Sequence, residues 1–233
     1  MKKLIIIPAY NEQENIVNTI ENIKKQAPEF DYVIINDCST DSTKEICQEK
    51  KYNMINLPIN LGIGGAVQTG YKYAERNHYN MAVQVDGDGQ HDPAFLNVMA
   101  QKLEEENLDM VIGSRFIERE GFQSSTVRRI GIVYFTHLIK LLTGYVITDP
   151  TSGLRMCGES VIQQFAKEYP NDYPEPESIV KILKAKKKVK EIPVVMKERQ
   201  GGTSSISPIK SIYYMIKVTL AIIIEKIRRR SES

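Results

Sequence analysis

The sequence predicts an α/β protein: a mostly parallel sheet flanked by helices. Three observations carry that prediction. Short apolar runs alternate with helical patterns through the first half of the chain, an order that stacks a parallel sheet between layers of helices. The runs at 4–7 and 33–35 are apolar without a two-residue period, as strands covered on both faces are. At 233 residues, 42% hydrophobic and 26% charged, the chain can bury a sizeable core within one domain.

Taken in order, a strand at 3–7 leads to a helix at 12–26, where Glu12 stands at the start and an acid favours the positive end of the helix dipole. The strand at 32–35 leads to a helix at 39–50, with Ser39 and Asp41 as capping candidates. Strands at 54–57 and 81–85 are followed by helices at 63–76 and 93–106, and a fifth strand is expected at 109–112. Beyond 113 the alternation stops: 121–125 reads as a loop, 127–142 as a helix and 148–153 as another loop. Pro174-Glu175-Pro176-Glu177 opens a further helix, and a strand at 189–195 precedes a polar loop at 198–205. No internal repeat or Pro/Gly/Ser-rich linker divides the chain. The expected organisation is one domain over 1–206, with halves at 1–113 and 114–206, and an amphipathic basic helix over 207–233.

A formal charge of +2 gives no support for nucleic-acid binding. Cys38, Cys47 and Cys157 lack C-x-x-C spacing, which argues against a disulfide scaffold or zinc site and fits a reducing cytoplasm. The N-terminus shows no signal-peptide pattern. The longest apolar stretch, 212–224, is interrupted by Lys217 and is too short for a membrane-spanning helix.

Ligands of open α/β sheets bind beyond the carboxyl ends of the strands, and the motifs fall there. Asp86-Gly87-Asp88 ends the run 81–85; residues two apart share one side, so two carboxylates converge where a hard Mg²⁺ or Mn²⁺ ion can bind with substrate phosphates. Two other motif readings fail. In the run at 62–67, Val67 stands where a dinucleotide fingerprint needs Gly, and the run follows the third strand rather than the first. His91 stands where an EF-hand loop needs Gly.

Together the strand-end motifs resemble those of the family 2 glycosyltransferases, enzymes of the GT-A fold that move a sugar from a nucleotide-diphosphate donor. The resemblance rests on P-A-Y-N-E at 8–12, N-D-C-S-T-D-S-T at 36–43, N-x-G at 60–62, D-x-D at 86–88, G-S-R at 113–115, D-P-T-S-G-L-R at 149–155 and R-Q-G-G-T-S-S at 199–205. It is closest to the polyprenyl-phosphate glycosyltransferase branch, which includes dolichol-phosphate mannose synthase. The resemblance implies that Pro8, Tyr10, Glu12, Ile35, Asp37 and Asn60 surround the donor nucleotide with Asp86 and Gly87. A carboxylate such as Asp37 can accept N–H groups of a base. It further implies a metal held by Asp86, Asp88 and Gln90, phosphates gripped by Arg115 and Arg199, and an acceptor side built from Asp149, Ser152 and Arg155. Two departures stand out: Ser205 replaces a lysine of the mannose synthases, so GDP-mannose does not carry over as donor, and Asn36 replaces the first Asp of its motif.

The implied reaction is an inverting, metal-dependent transfer, with a UDP-type donor favoured and polyprenyl (undecaprenyl) phosphate as acceptor. The alternative is extension of a cell-surface or lipid-linked glycan, for which Asp149 or Glu177 is the candidate base; a binding module without transfer is the third reading. Glu12, Asp37 and Arg115 also admit plain roles as helix start, turn and surface ion pair, and His91 reads as structural. Between 206 and 230 the chain holds six basic residues and one acidic residue. That pattern suits a helix lying on an anionic membrane at its cytoplasmic face, or packing on another chain, whether a second copy or a small membrane partner.

Overall fold

A computed structural model describes residues 1–122, 126–172, 174–197 and 215–220. Among them, strands β1 (Lys3–Ala9), β2 (Asp31–Asn36), β3 (Met54–Asn56), β4 (Met81–Gln84), β5 (Met110–Ser114), β6 (Arg155–Gly158) and β7 (Val189–Pro193) form one sheet in the order β3-β2-β1-β4-β6-β5-β7. The flanking helices are α1 (Ile16–Gln26), α2 (Thr43–Glu49), α3 (Gly62–Arg76), α4 (Phe95–Glu105), α5 (Thr126–Thr143), α6 (Glu159–Lys167) and α7 (Pro174–Lys184). The pairings are parallel except those of β6, which runs antiparallel between β4 and β5.

The unbroken apolar runs are explained by two cores, one on each face of the sheet. Leu4, Ile6, Val33 and Ile35 point into one core with Val67 and Tyr71 of α3, Phe135 of α5, Phe165 of α6 and Ile179 of α7. Ile5, Ile7, Ile34 and Val83 point into the other with Ile20 of α1, Cys47 of α2 and Met99 of α4. Successive strand residues face opposite ways, so a strand with helices on both sides needs apolar side chains at every position. The glycines of the run at 62–67 also find a use here. A Cβ on Gly64 would stand 2.1 Å from the carbonyl oxygen of Pro170, and the Gly64 N–H donates to Asn171 O at 3.1 Å.

The expected strands and helices of the first half are present, with α1 starting at Ile16 rather than 12 and α2 at Thr43 rather than 39. In the loops before them, side chains accept the N–H groups of Glu12, Gln13, Thr40 and Ser42. Sequence reasoning missed β6 and α6. A four-residue strand opening on a buried arginine offers no period to detect, yet β6 is decisive for the site. Being antiparallel, it brings the loop before it to the edge where the parallel strands end. Residues 215–220 are helical; the rest of the expected 207–233 helix lies outside the described residues. No helix among those described is long and apolar enough to cross a membrane.

Candidate active site

Two loops interlock at the ends of β1 and β2. Asn11 accepts the Thr40 N–H at 2.8 Å, and its own N–H donates to Ser39 Oγ at 3.0 Å. Asp41 accepts from Thr43 N–H and hydroxyl (3.0 and 2.5 Å) and from the Gln13 N–H at 3.1 Å. The Glu12 N–H donates to Thr43 Oγ1 at 2.9 Å, while the Glu12 carboxylate accepts from Asn15 Nδ2 at 2.9 Å. Asn36, fully buried, donates to Asn56 Oδ1 (2.6 Å) and accepts the Ser39 hydroxyl (2.5 Å). The Asn36 amide uses both its donor and its acceptor here.

Asp37 is 3% exposed and ties this pair of loops to α3: its Oδ1 accepts the Leu61 N–H at 2.7 Å, and Asn60 Nδ2 donates to its backbone oxygen at 3.1 Å. Asn60 Oδ1 accepts the Gly62 N–H at 3.0 Å. Burial raises the Asp37 carboxyl above its ordinary range, and the backbone N–H groups of Leu61 and Gly62 partly offset this.

The D-x-D turn lies beside these loops because β4 pairs with β1, with the Val85 N–H on Ile6 O at 3.0 Å. Gly87 fits beneath Pro8; a Cβ there would stand 3.2 Å from Pro8 O and 3.5 Å from Glu12 Cγ. Asp86 keeps 37% of its side chain exposed and accepts Gln84 Nε2 at 2.9 Å. Asp88 Oδ1 accepts the Gln90 N–H at 3.0 Å. His91, 5% exposed, accepts the Asp86 N–H at Nδ1 (3.0 Å) and sets Nε2 3.9 Å from Asp86 Oδ2. An acceptor Nδ1 puts the ring hydrogen of neutral imidazole on Nε2, facing the carboxylate, so His91 positions Asp86. Gln90 is joined to the other side of the cleft: its Nε2 donates to Lys197 O at 3.2 Å and its own carbonyl accepts the Lys197 N–H at 3.0 Å.

From the second half, the loop before β6 closes on the same point. A Cβ on Gly153 would lie 3.0 Å from Gln84 Nε2 and 3.2 Å from Asp86 Oδ2, so a side chain there would crowd both groups. Arg115 grips Asp149 through two bonds of 2.7 Å, from Nε to Oδ2 and from Nη2 to Oδ1, and Nη2 also reaches Thr151 Oγ1 at 3.0 Å. Glu191 of β7 holds the start of the loop, accepting the Thr148 and Asp149 N–H groups at 2.7 and 2.8 Å. Burial raises the Glu191 carboxyl, and those N–H bonds partly offset it. Sequence reasoning missed Glu191, which sits in a strand with no motif around it.

Several expectations need correction. Asp149 is fully buried and both its oxygens are bound by Arg115, so in this structure its lone pairs are turned to Arg115 rather than to the cleft. Arg115 is correspondingly a partner of Asp149 rather than a free phosphate hook, with only its Nη1 outside these bonds. Arg155, 2% exposed, donates to Ser152 O, Pro150 O, Glu175 O and Ser178 Oγ within 3.0 Å, so in this structure it is turned inward and shapes the loop. Ile35 is fully buried in the core and Pro8 is buried in β1, so both side chains pack inside the fold. Glu177 pairs with Lys181 at 3.2 Å and lines a separate cavity of about 340 Å³ with residues 168–172. Its neighbour Glu175 is the carboxylate near the D-x-D turn: burial raises its carboxyl to about 6, Arg155 opposes the rise, and the Asp86 charge adds to it.

Tyr10 is 45% exposed and Asn60 is exposed at the rim. Ser152 is 1% exposed and its hydroxyl has no hydrogen-bond partner among the described residues. Arg199 lies outside the described residues. Asp86, Asp88 and the Gln90 amide form a set of hard oxygen donors suited to Mg²⁺ or Mn²⁺. Among the described residues no three His, Cys, Asp or Glu side chains form a closed cage. A cation at this turn would complete its shell with phosphates and water, the usual arrangement for Mg²⁺.

Comparison with known proteins gives a consistent result. Residues 4–165 match the family described as Glycosyl transferase family 2. An uncharacterized protein of Methanocaldococcus jannaschii is 30% identical over 219 residues, 91% of this chain and 90% of that one. The UDP-N-acetylglucosamine--dolichyl-phosphate N-acetylglucosaminyltransferase of Methanococcus voltae is 30% identical over 182 residues, 70% and 72% of the two chains. The undecaprenyl-phosphate mannosyltransferase of Micrococcus luteus is 26% identical over 216 residues, 89% and 88%. Among solved structures, glucosyl-3-phosphoglycerate synthase from Mycobacterium tuberculosis in complex with phosphoglyceric acid superposes with a TM-score of 0.74 at 15% identity, over 97% of this chain and 79% of that one. The same enzyme in complex with Mn²⁺ and UDP-glucose gives 0.73, also at 15% identity, over 97% and 78%. At that identity the likeness is one of fold.

Proposed function

This chain belongs to glycosyl transferase family 2 and is a glycosyltransferase of the GT-A fold; from that premise we propose that it transfers a sugar from a UDP-type nucleotide-diphosphate donor to polyprenyl phosphate, with inversion. The observation that carries the reading is the abutment of Gly153 on Asp86, where the D-P-T-S-G-L-R loop of the second half meets the metal-binding turn of the first. The names of the Methanococcus and Micrococcus relatives support the lipid phosphate as acceptor.

In this reading the base and ribose lie against Tyr10, Glu12, Asp37 and Asn60. Asp86 and Asp88, with Gln90 beside them, would hold Mg²⁺ or Mn²⁺, which when bound supplies charge neutralisation for the departing diphosphate. An acceptor phosphate oxygen attacks the anomeric carbon from the face opposite the nucleotide. The new C–O bond forms as the bond to the diphosphate breaks, and the diphosphate leaves with the electron pair. A lipid phosphate is already anionic at neutral pH, so no base is required. The Arg115 Nη1 edge and Arg199 are the cationic partners proposed for the phosphates. The enzyme would work at the inner face of the cell membrane, with the basic tail at the lipid surface.

A second reading is favoured by Glu175. A carboxyl raised to about 6 near Asp86 has the properties of a general base, which a sugar-hydroxyl acceptor would need and a phosphate would not. The deciding experiment offers a panel of UDP-, GDP- and dTDP-sugars with Mg²⁺ or Mn²⁺ and polyprenyl phosphate in detergent, with Asp88→Asn as control. A polyprenyl-phosphate sugar whose formation Asp88→Asn abolishes is the expected result. Donor binding without lipid product, followed by transfer to a glycan hydroxyl, would replace the first reading by the second.

A further inference from the structure

Gln90, alone among the oxygen donors of the metal-binding turn, is held by the far half of the chain. Its N–H donates to Asp88 Oδ1 at 3.0 Å, its carbonyl accepts the Lys197 N–H at 3.0 Å, and its Nε2 donates to Lys197 O at 3.2 Å. A backbone carbonyl can only accept, so the nitrogen of the side-chain amide is the atom that faces Lys197. Oε1 takes no part in these bonds and is the atom the amide can give a cation. An amide without that constraint would offer Nε2 as readily, and an N–H group repels a cation.

Lys197 is itself fixed to the turn. Its ammonium lies 3.1 Å from Asp92 Oδ2. Asp92 is a firm anchor, because its Oδ1 accepts the Ala94 N–H at 3.1 Å at the start of α4, whose Leu96 and Met99 are buried in the core. The preceding residue, Met196, bridges His91 on one side and Gly121 on the other, and its carbonyl accepts the Phe122 N–H at 3.0 Å. Upstream, the Val194 N–H donates to Ser114 O at 3.0 Å, so the chain follows β5 until just before it crosses to the turn. We propose that Lys197 and Asp92 are positioning residues for the cation: their ion pair seats the 196–197 backbone on the turn, and that backbone keeps Gln90 Oε1, rather than Nε2, available as a ligand. Groups bonded to a metal's ligands set the ligands' orientation. Lys197 and Asp92 are 48% and 21% exposed, and so open an ion pair adds little to stability. Its loss is therefore felt in cation binding rather than in melting. The inference rests on the metal-dependent reading proposed above and is independent of the acceptor.

The test is calorimetric titration of Mn²⁺ into the full chain with saturating UDP, alongside thermal melting and UDP binding without a cation. Asp92→Asn removes the charge but keeps an acceptor for the Ala94 N–H, and Lys197→Ala removes the other partner. Each should weaken Mn²⁺ binding about fivefold, with melting and cation-free UDP binding unchanged, and Lys197→Arg should recover most of the loss. In a Gln90→Ala background Lys197→Ala should add nothing, since its effect passes through the Gln90 amide. Three results overturn the proposal and leave the proposed function standing: wild-type Mn²⁺ affinity in both Asp92→Asn and Lys197→Ala, an undiminished loss from Lys197→Ala in the Gln90→Ala background, or an equal loss of UDP binding without a cation, which would make the pair a support of the fold alone. Wild type that binds no Mn²⁺ in the presence of UDP would overturn the metal-dependent reading and the positioning role together.

Discussion

The two halves of the cleft are built by different forces. At the ends of β1 and β2 the loops are locked by short side chains bonded to backbone, such as Asn11 to Thr40 and Asp41 to Thr43 and Gln13. At the ends of β5, β6 and β7 the loops are locked by buried charge: Arg115 on Asp149, Arg155 on three carbonyls, and Glu191 on two amides. Charged residues in a motif invite a chemical role, yet in the second half they chiefly hold the backbone in shape. The exposed atoms at the D-x-D turn, chiefly the Asp86 carboxylate, are positioned by both systems.

If that contrast holds, variants in the second half should cost stability first, and variants beside the turn should cost binding or turnover first. Arg155→Ala should be the most damaging, by about 3–5 kcal/mol, because it strands three buried carbonyls and Ser178. Arg155→Lys should recover little, since an ammonium cannot reproduce the guanidinium fork. Urea unfolding checks both; a stable Arg155→Ala protein that fails only in turnover would return Arg155 to the acceptor.

Asp149→Asn should cost about 2–4 kcal/mol by leaving the buried Arg115 charge poorly paired. The double variant Arg115→Met with Asp149→Leu should regain part of that loss in a mutant cycle. Lost turnover at unchanged stability would instead make Asp149 a participant in the chemistry.

Glu175→Gln sharpens the comparison at the boundary between the halves. The folded carboxyl lies at about 6 against an ordinary value of 4.5, so the fold favours its protonated form. Between those values the folded chain binds more protons than the unfolded one, so this group's contribution to stability is full below the lower value and declines as pH rises through about 6. As a base it would act only once ionised, so activity toward a hydroxyl acceptor should rise through about pH 6 and fall about a hundredfold in Glu175→Gln. Transfer to a lipid phosphate should change only a few-fold, and the pH–rate profiles of the two proteins separate the cases.

The smallest effect is expected at His91. Asn can place an acceptor where Nδ1 stands, whereas Gln reaches the Nε2 end. His91→Asn should therefore keep Mn²⁺ binding in the presence of UDP nearly intact, while His91→Gln should weaken it by about 1 kcal/mol, roughly fivefold, as read by calorimetry. Equal behaviour of the two would remove the Asp86 amide bond from the account of the turn.

The places of the first five strands along the chain and the position of the D-x-D turn were legible because doubly covered strands must be apolar at every residue and the interleaved helices must be amphipathic. The same local logic placed Tyr10, Glu12, Asp37 and Asp88 at strand ends. It could not see β6, whose four residues carry no period, or Glu191, which makes its bonds 42 and 43 residues away. It also could not see that Asp149 faces Arg115, Arg155 a set of carbonyls and Glu177 Lys181, because a carboxylate or guanidinium has the same letter whether it faces a ligand or a protein partner.

What the sequence by itself determined is the α/β class and the placing of the D-x-D carboxylates just beyond the end of a strand, since these follow from periodicity and from residues two apart. Only the tertiary structure decided which charges remain available. That depends on an antiparallel strand inserted between β4 and β5, which folds the second-half loop back onto Asp86 and lets partners invisible to any local pattern bind Asp149 to Arg115 and surround Arg155 with backbone carbonyls.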